Sequence, residues 1–186
     1  MRHNIDLTQL SRRELGYLIG FYVGDGNIFV KKELGVYRLR YFTYIKEKET
    51  QKKLKKVLLK IFDKTYCYKK QDNTFVLEKH SKDLIKFIKK TCDKKGLKVK
   101  TSREFKIGYI EGLIDSDGYV QRNYVEITTS NPKLKNQIIE ILEKFKVACT
   151  VRKYPPSGLS KKMGFRVGFS LLHGRPFSPV KWASGV

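Results

Sequence analysis

The sequence has few of the residues that build disulfide, redox or zinc sites. Its 186 residues include three cysteines, three histidines and one tryptophan. Cys67, Cys92 and Cys149 are odd in number and show no paired spacing, which argues against a disulfide framework and a zinc site and fits a reducing cell interior. The histidines form no ligand pattern either.

Long apolar runs are absent as well. No stretch of about 18 apolar residues could span a bilayer, and no isolated basic amphipathic helix is typical of binding to a membrane surface. The first six residues lack the apolar segment of a signal peptide. We therefore expect an intracellular protein without a membrane partner.

Acidic residues are scarce for a chain of this size. The sequence has 18 Asp and Glu against 40 Lys and Arg, which gives a formal charge of +22. Lysine-rich proteins of thermophiles balance lysine with glutamate, and this chain does not. Such an excess of positive charge suits a long polyanion, so nucleic acid is the expected partner.

One segment occurs twice, at residues 15–26 and 107–118. In each copy, small residues recur at every fourth position of an apolar run, and an Asp-Gly pair ends the run. The acids of these pairs are Asp25 and Asp117, which are 92 positions apart. The small residues are Gly16, Gly20, Gly24, Gly108, Gly112 and Ser116. A repeat of this length predicts two copies of one subdomain.

The spacing of the small residues predicts a contact between two helices. Residues four apart lie on one helix face, so each copy has a face with almost no side chains, and such faces let two backbones approach closely. Glycine inside a helix costs roughly 1 kcal/mol relative to alanine, so the pattern does not favour helix stability itself. We predict that the two helices pack at a pseudo-twofold axis, with Asp25 and Asp117 side by side at their C-terminal ends.

Two acids in that position predict a metal site. A helix C-terminus disfavours negative charge, and neighbouring carboxylates repel each other, whereas a divalent cation removes both problems. Mg²⁺ prefers hard oxygen ligands and needs only a few of them from the protein. It keeps some of its bound waters and takes phosphate oxygens as further ligands. A single Asp-Gly pair is usually an ordinary turn. Two copies in register favour the metal site.

The pair of motifs resembles the LAGLIDADG homing endonuclease family, in its single-chain form with two motifs. The nine positions of the family motif correspond to residues 18–26 and 110–118, and the resemblance extends over roughly residues 11 to 171. It implies that the acids at the eighth position, Asp25 and Asp117, are the catalytic, metal-binding carboxylates. The residues preceding them, Gly24 and Ser116, are implied as further metal ligands.

The resemblance also implies the cofactor and the reaction. The cofactor is Mg²⁺ or Mn²⁺, with Ca²⁺ as a substitute that does not support cleavage. One phosphodiester of each strand is hydrolysed across the minor groove, between two half-sites read in the major groove. A lysine near the end of the second strand often assists in this family, which makes Lys48 the candidate and Lys46 the alternative. The second half has Ser130 at the matching place, so unequal cleavage of the two strands is expected.

The order of predicted elements is that of an α+β fold. Two pseudo-twofold-related αββαββ(α) subdomains are expected, each with a curved antiparallel sheet, packed through the two motif helices to form a DNA-binding saddle. The boundaries are 11–92 for the first subdomain, 93–102 for a linker and 103–186 for the second subdomain with an irregular tail. Strands are predicted at 27–33, 36–45, 65–70, 74–79, 118–122, 124–129, 147–154 and 164–171.

Local signals mark the ends of the predicted elements. Capping boxes at 11–14 and 101–104 are predicted to open the two motif helices. After Ser170, glycines and prolines forbid a regular helix. Two alternatives remain there: a coil with Phe177 and Trp182 covers the core, or the second subdomain is abbreviated.

The predicted strands also supply the candidate DNA-binding residues. Arginine can bond guanine in a bidentate manner, glutamine and asparagine can bond adenine, and lysine mostly meets phosphate. Because side chains alternate between the two faces of a strand, these residues cannot all point to one ligand. The candidates are Lys31, Tyr37, Arg38, Arg40, Tyr44, Lys69, Lys70, Gln121, Arg122, Asn123, Arg152, Lys153, Lys161, Lys162 and Arg166.

Three function classes remain open at this point. A site-specific double-strand DNA endonuclease fits both the acids and the basic strands. An RNA maturase with intron RNA as its partner, or a non-cleaving DNA-binding regulator, could use the same scaffold. Because the paired strands of the two halves differ in sequence, we predict a non-palindromic target bound by a monomer.

Overall fold

The computed structural model describes residues 6–70, 72–156, 163–171 and 176–179. The first half contains α1 (Arg12–Asp25), β1 (Gly26–Lys31), β2 (Val36–Tyr44), α2 (Lys48–Leu59), β3 (Tyr66–Lys69), β4 (Thr74–His80) and α3 (Lys82–Thr91). The second half contains α4 (Arg103–Asp117), β7 (Gly118–Gln121), β8 (Tyr124–Thr129), α5 (Pro132–Lys144), β9 (Cys149–Tyr154) and β10 (Gly164–Ser170). A short hairpin, β5 (Cys92–Asp93) and β6 (Gly96–Leu97), lies between the halves. The predicted α+β fold with two similar subdomains is therefore confirmed.

Each half forms one four-stranded antiparallel sheet with the same strand order. The first sheet has the order β1-β2-β4-β3, and the second has the order β7-β8-β10-β9. The second strand of each half thus lies between the first and the fourth. Within the described ranges, no helix combines the length and the apolar character needed to cross a bilayer.

The core lies between the helices and one face of each sheet. In β2, Leu39, Tyr41 and Thr43 are buried, whereas the residues between them are only partly buried. In the second sheet, Val125 and Ile127 are buried in the same manner. This alternation follows from the two-residue period of a strand. Among the residues that the structure describes, the other face of each sheet is therefore helix-free.

The two motif helices begin with different caps. Ser11 opens α1 with a complete capping box, because its side chain accepts from the Glu14 backbone and the Glu14 carboxylate accepts from the Ser11 N–H. The capping box predicted at 101–104 is wrong. Ser102 is the N-cap of α4, and its hydroxyl accepts from the N–H of Phe105, so Glu104 is one position too early to complete a box.

The described part of the C-terminal tail packs against the second half. The Phe177 ring is buried and lies 5.4 Å from the Phe145 ring and 6.2 Å from the Phe169 ring, measured between centroids. Of the two alternatives for the tail, Phe177 agrees with the coil that covers the core. Trp182 lies outside the described residues.

Candidate metal centre and nucleic-acid interface

The faces of α1 and α4 that lack side chains lie against each other. A Cβ atom on Gly20 would overlap the carbonyl oxygen of Tyr109, and one on Gly112 would overlap the carbonyl oxygen of Tyr17. Gly16 and Gly108 meet the backbone of the opposite helix in the same way, one turn earlier. No side chain fits at these positions, so the small residues set the distance between the helices.

This packing brings the two Asp-Gly pairs together at the C-terminal ends of the helices. A Cβ atom on Gly24 would overlap the Ser116 hydroxyl and would lie 3.0 Å from the Asp117 carboxylate oxygen Oδ2. Asp117 therefore lies against the residue that precedes Asp25. The chain leaves each helix directly into a strand at Gly26 and at Gly118, whose N–H groups cap the Tyr22 and Ile114 carbonyls.

A lysine that the sequence analysis did not select lies at this centre. The Lys94 Nζ donates to the carbonyl oxygens of Tyr22 at 2.5 Å, Val23 at 3.2 Å and Gly24 at 2.9 Å. It thereby binds the carbonyl end of α1. Partial burial lowers the pKa of Lys94, and the nearby carboxylates of Asp117 and Asp25 counteract part of that effect. Lys94 thus places a positive charge beside both acids.

The β5–β6 hairpin positions Lys94, and α5 holds the hairpin. The Gln137 side chain accepts from the Leu97 N–H at 2.8 Å and donates to the Leu97 carbonyl at 3.1 Å. Gly96 has a φ of +114°, a conformation that L side chains rarely adopt, and it packs beneath Gln137. The Asp93 carboxylate accepts from the Lys95 N–H within the turn. These hydrogen bonds therefore fix the position of the short hairpin that carries Lys94.

The residues at the helix ends suit a hard divalent cation. Asp25 and Asp117 carry carboxylate oxygens at these ends, whereas the carbonyl oxygen of Gly24 accepts from Lys94. Across the described ranges, no cluster of three or more His, Cys, Asp and Glu side chains is found that could hold a metal. A cation bound here would therefore complete its coordination with backbone oxygens, water or phosphate, as Mg²⁺ commonly does.

A second acid of the α4 motif is buried behind this centre. Asp115 is fully buried, and its Oδ2 lies 3.5 Å from the Lys53 Nζ of α2. The same ammonium lies 4.1 Å from the centre of the Tyr17 ring. Burial next to Asp115 raises the pKa of the Tyr17 hydroxyl. Asp115 thus ties the motif helices to α2.

The helix-free face of the first sheet carries most of the candidate DNA-binding residues of that half. Arg38 pairs with Phe29 of β1 and with His80 of β4, and Arg40 pairs with Asn27 and Glu78. Since paired residues point to the same face, these side chains share the face opposite Leu39 and Tyr41. Lys31, Arg38, Arg40 and Tyr44 are the candidates on this face. Lys70 joins them, because its Nζ lies 5.1 Å from the centre of the Phe42 ring.

The second sheet has a corresponding face with a different set of side chains. Arg152 pairs with Arg166 across β9 and β10. Gln121 pairs with Tyr124, and Arg122 and Asn123 form the turn between β7 and β8. Arg122 has a φ of +52° at this turn, which is unusual for a residue with a side chain. The two sheets therefore present different chemistry to a ligand.

Three candidates lie on the opposite face, and two lie outside the described residues. Tyr37 packs against the core and lies under the Lys82 ammonium, with 5.5 Å between Nζ and the ring centre. Lys69 pairs with Phe75, and Lys153 pairs with Phe165, on the side of the helices. The alternation of strand side chains therefore places these three residues on the face that packs against the helices. Lys161 and Lys162 are not among the described residues.

Sequence reasoning also missed an acid on the helix-free face of the first sheet. Glu78 of β4 is 8% exposed and is surrounded by Arg38, Arg40, Tyr68 and His80. Burial raises the pKa of its carboxyl, but the hydrogen bonds from Arg40, His80 and Tyr68 outweigh that effect and hold the pKa below its usual range. The alternation of β4 alone could have indicated an outward Glu78. Its partners come from other strands and needed the register.

The two lysine candidates for catalysis lie where β2 leads into α2. Lys46 is in the connection after Tyr44, and Lys48 is the first residue of α2. Both side chains are exposed, and Glu47 is the N-cap between them. In the second half, α5 follows β8 through Ser130 and the N-cap Asn131. The structure brings Lys94, rather than either lysine, against the carbonyl end of α1.

Comparison with known sequences finds two matches. Residues 104–167 match the sequence model of the LAGLIDADG-like domain. The chain is also 31% identical over 155 residues to the uncharacterized protein MJ0398 of Methanocaldococcus jannaschii. That match covers 81% of this chain and 53% of the relative, so the chain spans about half the length of that protein.

Comparison with solved structures finds the same fold. The structure of I-DmoI in complex with DNA and Ca superposes with a TM-score of 0.69 at 19% identity, over 86% of this chain and 84% of I-DmoI. I-DmoI has also been solved with DNA and Mn. The N-terminal LAGLIDADG domain of DUF199/WhiA gives a TM-score of 0.54 at 11% identity, over 94% of this chain and 81% of that domain. At these identities the likeness establishes the fold.

Proposed function

We propose that this chain, a single-chain LAGLIDADG protein with two copies of the motif, is a site-specific double-strand DNA endonuclease. It would hydrolyse one phosphodiester in each strand of a long target. The observation that supports the proposal is the packing of α1 against α4, in which Asp117 lies beside Gly24, the residue that precedes Asp25. Each half would then supply one carboxylate for one strand.

Asp25 and Asp117 would hold a divalent cation, with Mg²⁺ or Mn²⁺ supporting cleavage and Ca²⁺ supporting binding alone. The bound cation would activate water and stabilise the leaving oxygen of the phosphodiester. Gly24 and Ser116 would supply further ligands from the same helix ends. The Gly24 carbonyl oxygen, which accepts from Lys94, would have to leave that bond to bind the cation. Lys94 would offset part of the negative charge that the acids and the end of α1 collect in one place.

The helix-free faces of the two sheets would bind DNA in the major groove on either side of the cleavage centre. Basic side chains on both faces would meet phosphates, and arginine and glutamine side chains would read base edges. The first face centres on the Arg38 and Arg40 pair, and the second on Arg152 and Arg166. Because these sets differ, a monomer would recognise a non-palindromic target.

The two strands would be cut at unequal rates. Lys48, or Lys46 as the alternative, would assist the reaction in the first half. The second half has Ser130 at the corresponding place, and Lys94 is close to the acids of both halves, so it does not replace the missing lysine of the second half alone. One active site would therefore have more positive charge than the other.

The test is cleavage of a randomised duplex library with Mg²⁺, beside binding of the same library with Ca²⁺. Wild type, Asp25→Asn, Asp117→Asn and the double variant would be compared. Asp63→Asn is the control, because Asp63 is an exposed acid outside the helix ends. We expect a discrete cut sequence for the wild type and the control, and no cutting by the double variant despite unchanged binding. Each single variant should affect one strand more than the other.

The same experiment, with structured intron RNA added as a competitor in the binding measurement, separates the alternatives. Binding of a discrete duplex sequence without cutting would favour the non-cleaving regulator. Preference for structured intron RNA over every duplex would favour the maturase. Cutting that survives in the double variant would show that the two acids are not the catalytic carboxylates.

A further inference from the structure

Glu78 is a carboxylate on a face that otherwise collects positive charge. It lies on β4 directly opposite Arg40 of β2 on one side and Tyr66 of β3 on the other. Its neighbours on this face include Arg38 and His80. The residue is 8% exposed, so the carboxylate is enclosed by its partners rather than solvated.

Four side chains converge on this carboxylate. The Arg40 Nε donates to Oε2 at 2.6 Å, and the Tyr68 hydroxyl donates to the same oxygen at 3.1 Å. On the other side, Oε1 lies 3.2 Å from the Arg38 Nε and 2.9 Å from the His80 Nε2. The partners come from three strands, so the cluster exists only when the sheet is formed in this register.

The charge of Glu78 opposes what a DNA-binding face needs for general affinity. A carboxylate repels phosphate, and in this cluster it also cancels one of the two arginine charges. If Arg38 and Arg40 only bound phosphates, Glu78 would weaken the interaction. The carboxylate therefore serves the orientation of the arginines rather than the attraction of DNA.

The geometry of the contacts leaves the base-reading part of each arginine available. The Arg40 Nε donates a hydrogen bond to Glu78, whereas the Arg38 Nε lies 3.2 Å from Oε1 as an ion pair without hydrogen-bond geometry. In both arginines Nε is the nitrogen nearest the carboxylate, which leaves the outer edge between the two terminal nitrogens for a ligand. These terminal nitrogens form the fork that bonds O6 and N7 of guanine. The Arg38 guanidinium also lies over the Phe29 ring, with 5.8 Å between Cζ and the ring centre. Arg40 is thus held by a hydrogen bond, and Arg38 by its ion pair and the ring contact, before a ligand arrives.

We propose that Glu78 is a specificity-determining residue that orients Arg38 and Arg40 to read guanine in the half-site bound by the first sheet. The inference rests on the proposed function only in requiring duplex DNA at this face, and it does not require cleavage. If the arginine side chains are already oriented, less conformational entropy is lost when DNA binds. Bases that cannot accept both hydrogen bonds from an arginine are then bound more weakly.

The second sheet holds its arginine less tightly. Glu126 accepts from the Tyr124 hydroxyl at 3.2 Å, but its nearest contact to Arg166 is 3.9 Å. Arg166 instead lies over the Tyr154 ring at 5.2 Å. The strict guanine requirement is therefore expected in one half-site, which adds to the asymmetry of the target.

The experiment is selection of bound duplexes from a randomised pool in Ca²⁺, followed by affinity measurements at several salt concentrations. Glu78→Gln keeps the shape of the side chain and removes its charge. Arg40→Lys keeps the charge and removes the fork. Glu33→Gln is the matched control, because Glu33 is an exposed acid in the connection between β1 and β2 and makes none of these contacts.

For Glu78→Gln we expect the preference for guanine at one or two adjacent positions to fall about tenfold, while affinity for unrelated duplexes rises. Arg40→Lys should lose the same preference without that rise. Glu33→Gln should keep the wild-type sequence preference.

With a wild type that binds duplex DNA, two outcomes would overturn this inference. One is a Glu78→Gln variant that binds every sequence more tightly with its base preference intact, since Arg38 and Arg40 would then be phosphate contacts. The other is a selected site without guanine under the first sheet. Selective binding by a wild type that never cuts DNA would refute the endonuclease proposal and leave this one standing. A wild type that binds no duplex at all would refute both.

Discussion

The ammonium of Lys94 lies 2.9 Å from the carbonyl oxygen of Gly24, the residue that precedes Asp25. The contact joins the hairpin between the two halves to the carbonyl end of the first motif helix. Because the same ammonium is close to Asp117 and Asp25, it offsets charge that the helix end and both acids would otherwise collect together. A divalent cation bound at this place would serve the same electrostatic purpose as Lys94.

Replacing Lys94 should make the fold more dependent on a divalent cation. In Lys94→Met we expect stability without metal to fall by about 1 kcal/mol, or roughly 2–4 °C in melting temperature. Addition of Mg²⁺ should restore part of the loss, so the metal-induced shift is larger than in the wild type. Thermal unfolding with and without Mg²⁺ measures this difference. Lys95→Met, in the same turn, is the control, and equal metal shifts in all three proteins would refute the prediction.

Arg152 and Lys153 allow a direct test of which sheet face meets DNA. They are adjacent exposed cations on β9 whose side chains point to opposite faces. Arg152→Gln should weaken binding to all duplexes and reduce the slope of log affinity against log salt by about 1, since one phosphate contact is lost. Lys153→Gln should leave that slope unchanged. Equal effects of the two variants would mean that the helix-free face is not the binding face.

Arg13 and Glu111 form an ion pair between the motif helices that should be important for stability. The Arg13 Nε donates to the Glu111 carboxylate at 3.0 Å, and the N–H of Ser178 in the tail donates to the same carboxylate at 2.6 Å. Glu111 is 2% exposed, so Arg13→Ala would leave a buried charge without its partner. We expect a loss of about 3 kcal/mol in urea unfolding. Arg12→Ala removes an exposed neighbouring arginine and should cost less than about 0.5 kcal/mol.

The Glu78 cluster should also make stability dependent on pH. The pKa of the Glu78 carboxyl is lower in the folded protein than in the unfolded chain, because the bonds from Arg40, His80 and Tyr68 outweigh the effect of burial. A lowered pKa stabilises the fold at pH values above about 4.3, and the contribution is lost as the pH falls through the folded value. Glu78→Gln should therefore be less stable than the wild type at pH 7, with a smaller difference at pH 3. Urea unfolding at both values tests this, and a constant difference would contradict it.

Much of the fold could be predicted because its signals are local. The four-residue spacing of the small residues in 15–26 and 107–118, together with the alternating strands, predicted the element order of both halves. The second capping box failed for an equally local reason, since Thr101 and Ser102 are both able to cap a helix and the sequence does not distinguish them. The hairpin at 92–97 was missed because its strands have two residues each and no strand pattern.

Only part of the candidate site could be predicted from local sequence patterns. Asp25 and Asp117 stand out because each ends a repeated pattern, and the contact between Gly24 and Asp117 is consistent with their meeting. The positions of Tyr37, Lys69 and Lys153 required the register, because a change of one residue moves a side chain to the other face. When the register is not known, a list of candidates taken from a strand therefore includes residues on both faces of the sheet.

The sequence by itself determined the two-fold repeat, the element types, the charge that suits a polyanion and the identity of the paired acids. These properties depend on residues close in the chain or on composition. Only the tertiary structure decided that Lys94 binds the end of α1 and that Glu78 joins Arg38, Arg40, Tyr68 and His80. Lysine, glutamate and arginine are common in so polar a chain, and no local pattern marks the few that meet. Their partners come from separate strands and helices, so they are identified only when the chain has folded.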